Sequence, residues 1–160
     1  MRLLFTTSVL AITFVYITGG SLPPTVASHF TIGGAANAFM ARGVYLKLMV
    51  AVMVGAPLLI AVLGSVVSVL PIRFINLPDR DYWLAPERQA DTLAYISKQG
   101  SRLGVMLIIF LGFVHWLVVQ ANAHTPPVLS ERLFFIGMGI FLISILTGLG
   151  TFVVHFYRRP

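Results

Sequence analysis

The chain contains no cysteine and only five acidic residues among 160. The first absence excludes disulfides, iron–sulfur clusters, thiolate metal sites and a cysteine nucleophile. The second excludes more once positions are read. Asp79, Asp81, Glu87 and Asp91 all fall in one polar stretch, 71–102, and Glu131 stands just before the last apolar run. No apolar run therefore holds a carboxylate, which removes the usual proton relay, the carboxylate-bridged metal pair and the buried counter-ion of a cationic substrate. A GxSxG elbow, an HExxH helix and a P-loop are also missing. These gaps point away from an enzyme and imply no cofactor.

What is present is apolar. Hydrophobic residues make up 58% of the chain against 10% charged, and the mean hydropathy is +0.91. That leaves too little polar surface to cover a soluble globule. The composition predicts an all-α integral membrane protein, one domain over 1–160, with four transmembrane helices at about 3–19, 44–70, 103–122 and 133–157. The first run, about 17 residues, is near the lower limit for crossing ~30 Å of hydrocarbon. It reads as a retained anchor, with a cleaved signal peptide as the rival because Thr25, Val26, Ala27 and Ser28 are small.

Pro57, following Gly55, predicts a kink in the second span. Gly55 there, and Ser144 and Gly148 in the fourth span, are spaced for close helix packing. Within 71–102, Pro86 suits a helix start, Lys98 a helix end and Gly100 a terminator. A short interfacial helix over 86–99 follows, with Leu93 and Ile96 as its apolar edge and Tyr82 and Trp83 at the lipid–water boundary.

Orientation follows from the basic residues. With the amino terminus in the cytoplasm, that side carries Arg2, Arg73, Arg80, Arg88, Lys98, Arg102, Arg158 and Arg159. The far side has Arg42, Lys47 and Arg132. The excess places both termini and 71–102 inside, and the loops 20–43 and 123–132 outside. The formal charge of +6 is spread along span flanks and forms no single stripe, so nucleic acid is not an expected partner.

Four histidines are the candidate ligands. His115 lies inside the third span, where an ionisable group is a functional hypothesis. The alternative is a neutral imidazole hydrogen-bonded to Ser144, Thr147 or a backbone carbonyl. His155 differs from it in depth by roughly 20 Å at ~1.5 Å per residue, too far for the two to hold one haem. His29, His124 and Glu131 fall on the outer side, but no two share a helix and their spacing matches no metal motif.

The outer loop reads LPPTVASHFTIGGAANAFMAR. Its Leu22, Pro23, His29, Phe30, Gly34, Phe39 and Arg42 stand at the spacing of a module in bacterial membrane proteins of the sporulation-delaying toxin immunity type, which this stretch resembles. Ala27 replaces a usual Pro and Thr31 a common Asn. The likeness covers about 22–60, and more loosely YWLAPERQADTLAY. It implies a multi-pass membrane protein and, in some relatives, protection from a toxic peptide and sequestration of a repressor.

The expectation is a non-enzymatic protein, of immunity or signalling type, that binds a peptide or protein partner through the outer loop. His29, Phe30, Gly34, Tyr82 and Trp83 are the candidate contacts. The alternative is a small accessory subunit that stabilises a larger bioenergetic or transport complex, since small-residue helix faces need a companion.

Overall fold

The structure, a computed structural model, describes residues 2–158. Met1, at the head of the first run, and Arg159, one of the closing basic pair, lie outside them with Pro160. In chain order the elements are α1 (Arg2–Gly19), β1 (Thr25–Phe30), β2 (Ala36–Ala41), α2 (Arg42–Val66), α3 (Arg80–Trp83), α4 (Gln89–Asn122) and α5 (Glu131–Tyr157). A 3-10 turn at Val67–Val69 prolongs α2, and a second stands at Ile72–Phe74. α1, α2, α4 and α5 are long and apolar enough to cross a membrane.

Helices suit these runs because hydrocarbon offers the backbone no hydrogen-bond partner. Four hydroxyls inside α1 meet the same demand. Thr7, Ser8, Thr13 and Thr18 each donate to the carbonyl four residues back.

α4 packs most extensively against α2, then against α1. Val15, Met53, Ala61 and Ile108 form the centre of this three-helix core. The backbones of α2 and α4 approach closely where Gly64 faces Gly100. A Cβ on Gly64 would sit 3.1 Å from Gly100 Cα, and one on Gly100 3.2 Å from Gly64 Cα and Ile60 O. One turn further along α4, a Cβ on Gly104 would lie 3.0 Å from Pro57 O. Pro57, buried, is thus a packing residue.

Several expectations change. The fold is not all-α, because the outer loop forms an antiparallel hairpin. The short interfacial helix does not exist as a separate element. The chain from Gln89 runs unbroken through Gly100 into the third span, a helix of 34 residues. At ~1.5 Å per residue it exceeds ~30 Å of hydrocarbon, so its first turns extend the span instead of lying along the surface. Gly100 fails to terminate because its role is the close crossing with α2. Leu93 turns inward to a small cluster with Ile75 and Leu84.

Gly55 and Gly148 do not pack closely: a Cβ on either meets nothing within 4 Å. Ser144 donates to Ile140 O of its own helix. The reason is common to Gly148 and Ser144. α5 packs extensively against α4 alone among the spans, and in its most apolar 18-residue stretch no side chain is buried by the rest of the protein.

Trp83 is buried as well, at 8% exposure, so it offers little surface to a partner. Its indole Nε1 donates to Phe156 O at 3.0 Å, supplying a partner to one of the carbonyls that end a helix unsatisfied. Thr92 Oγ1 donates to Trp83 O at 2.8 Å, and His155 stacks on Tyr95 at 4.1 Å between centroids. This aromatic corner ties the last turn of α5 to α3 and the start of α4. Tyr82 stays half-buried with the Arg88 guanidinium 4.2 Å from its ring centre.

Candidate functional site at the hairpin end

Pro23 and Pro24 turn the chain out of α1, and Gly33 and Gly34, at φ +122° and +72°, reverse it between β1 and β2. Positive φ suits residues without a Cβ. Gly34 carries a second constraint, since a Cβ there would run into Leu129 O. Leu129 N–H donates to Gly34 O at 2.8 Å, and Ala35 bridges Val128, so the hairpin tip is fastened to the loop before α5.

The base of the hairpin is fastened by Arg42. Its N–H donates to Pro24 O and its Nη1 to Leu22 O, both at 2.9 Å. The middle is held by Asn122 in the last turn of α4. Its Oδ1 accepts from Ala27 N–H at 2.8 Å, and its Nδ2 donates to Ala27 O at 3.0 Å and Val118 O at 2.9 Å. Leu22, Val26, Tyr45 and Val118 are the buried residues beneath.

These bonds fix which strand edge is open. Ala27 sits opposite Phe39, and the backbone groups of Ala27 point away from β2 towards Asn122. In an antiparallel ladder both members of such a pair point outward. The N–H and C=O of Phe39 therefore lie on the outer edge of β2, as does the N–H of Ala41, opposite Thr25. The Phe39 ring is 54% exposed. One edge of the hairpin is closed by a side-chain amide and the other is open.

Two turns below Asn122, His115 is fully buried. Thr18 Oγ1 lies 2.8 Å from its Nε2, and Tyr45 Oη 2.9 Å from its Nδ1. Thr18 already donates to Phe14 O at 2.7 Å. Its oxygen must then accept from Nε2–H, which leaves Nδ1 to accept from the Tyr45 hydroxyl. The resulting chain, Tyr45 to His115 to Thr18 to Phe14 O, joins α2, α4 and α1 just beneath the hairpin. The expected partners Ser144 and Thr147 are not used, because they bond within α5.

His29 is exposed on β1 and borders a cavity of about 260 Å³ with Phe30 and Glu131. His124 borders a different cavity, beside Trp116 and Ser130. The structure thus brings together two of the three outer residues weighed as ligands and separates the third. Among the described residues no group of three His, Asp or Glu is placed to hold a metal. Sequence reasoning missed Thr18, Tyr45 and Asn122. A signal existed for Asn122, an amide closing an otherwise apolar run, where a backbone partner is the natural recipient.

Comparisons of the chain with protein-family models, curated protein sequences and solved structures found no match.

Proposed function

We propose that the chain is a non-enzymatic multi-pass membrane protein of the immunity or signalling type, which takes an extended segment of a peptide or protein on the open edge of β2. The supporting observation is the asymmetry of the hairpin. Asn122 occupies the ladder positions beside β1, while the groups of Phe39 and the N–H of Ala41 face outward beside an exposed ring. Strand addition to such an edge draws affinity from main-chain hydrogen bonds and selectivity from alternate side chains. The three fastenings keep the edge rigid, so little ordering cost falls on binding. The positive-inside count puts this edge outside the cytoplasm. In this reading His29 and Phe30 lie on the other strand and shape the side cavity, and Gly34 holds the tip.

The accessory-subunit reading has its own support in α5, whose most apolar stretch is uncovered and whose Gly139, Gly148 and Gly150 meet nothing within 4 Å. One experiment separates the two. A photo-reactive residue replaces Phe39 or Leu146 in native membranes, followed by mild extraction and sizing. Strand addition predicts an adduct from position 39 that is lost in Ala41→Pro. Ala41 has φ −60°, which proline adopts, so that change removes only the outward N–H. An adduct at 39 indifferent to Ala41→Pro overturns strand addition. An adduct from 146 alone, in a large stoichiometric assembly, establishes the subunit reading.

A further inference from the structure

At the opposite end of the bundle, a slot of about 310 Å³ opens between α2, α4 and α5. Gly148 lines it with no side chain to fill it, Gly64 and Gly100 form the wall where α2 and α4 touch, and Leu103, Met106 and Phe152 complete an apolar lining. Its rim is different. Gln99 and Arg102 also line the slot, and the Arg102 guanidinium donates to Gln99 Oε1 at 3.2 Å and to no carboxylate among the described residues. Lys98, exposed, is four residues before Arg102 and so neighbours it on the helix surface. The nearest carboxylate back along α4 is Asp91, about 10 Å from Lys98 by axial rise.

The placement along α4 matters. Arg102 is the last charged residue before the apolar run that begins at Leu103. A headgroup at Lys98 and Arg102 would therefore sit at the hydrocarbon boundary, with the slot leading inward from it. A partner helix would fill the slot equally well but offers no anion to the Arg102 guanidinium that lines it. An anionic lipid answers both parts, the acyl chain in the slot and the phosphate against Arg102 and Lys98.

We propose that this slot is a seat for an anionic phospholipid, in the leaflet at the Trp83 end of the protein. The proposal is independent of the reading of the hairpin, which lies at the other end of every span.

The test uses the purified full chain in detergent, titrated with phosphatidylglycerol or phosphatidylcholine of identical acyl chains, with bound lipid read by native mass spectrometry. The expected result is a phosphatidylglycerol preference that falls about fivefold in Arg102→Gln and again in Lys98→Gln, the effect of about one charge each near a membrane surface. Gly148→Leu, placed where a Cβ meets nothing, should weaken both lipids together by filling the slot. Equal binding of the two lipids, or an unchanged preference in the double Gln variant, overturns the headgroup assignment. Wild-type binding by Gly148→Leu, or full displacement of lipid by an equal concentration of soluble glycerol phosphate, overturns the acyl seat. A protein that co-purifies stoichiometrically and is lost in Gly148→Leu would replace the lipid as occupant.

Discussion

The side-chain amide of Asn122 satisfies both backbone groups of Ala27, one helix end standing in for a third strand. Ala27 is fully buried, so neither group has water as a substitute. Asn122→Leu should destabilise the protein by about 1–3 kcal/mol, the cost of orphaned buried polar groups. Thermal unfolding in detergent measures it, and hydrogen exchange should show the Ala27 amide losing protection. Continued protection of that amide would show that another group takes over.

The buried histidine makes a paired prediction. His115→Leu leaves the Tyr45 hydroxyl without its partner and should cost about 1–3 kcal/mol, whereas Thr18 keeps Phe14 O. Adding Tyr45→Phe should recover part of that loss, since removing both members of a pair is cheaper than removing one. Unfolding of the two single variants and the double completes the cycle. Strict additivity would mean that the two residues are not coupled.

Two glycines should respond in opposite ways. Gly34→Ala combines a left-handed backbone with a collision at Leu129 O, and is expected to lower stability by about 2 kcal/mol or more. Gly55→Ala, in a helix and facing open space, should be neutral or stabilising by at most about 1 kcal/mol. Comparing their melting temperatures checks both at once. Equal losses would contradict the packing described.

At the far end, Trp83→Phe removes the donor to Phe156 O and part of a buried ring system, at a cost of about 1–3 kcal/mol. The effect should be local. Trypsin cleavage after Arg158 should accelerate as the last turn of α5 loosens, while chymotrypsin cleavage after the exposed Phe39 of the hairpin keeps its wild-type rate. Faster cleavage at both ends would indicate a global loss instead.

The four long helices were legible in the residues because hydrocarbon admits almost no charge, so the absence of Asp and Glu from the apolar runs marks the spans directly. The pair of strands was not. TVASHF and ANAFMA are short and rich in small residues, with weak strand preference. They form a hairpin because Gly34, Arg42 and Asn122 hold it against the bundle. Trp83 was misjudged for a related reason. A Trp beside a span reads as an interfacial anchor, and only the arrival of the α5 end turns its ring inward.

The amino-acid order alone determined that the chain is apolar enough to span a membrane four times, and where the runs begin and end, because transfer into lipid depends on local composition. Which helix faces which was decided by the tertiary structure. Thr18 and Tyr45 are far from His115 in numbering, as Asn122 is from Ala27, and only the packing of α1, α2 and β1 on α4 brings them within hydrogen-bonding distance. The same packing leaves α5 uncovered and one strand edge open, since a single-residue register decides which backbone groups meet a partner and which face outward.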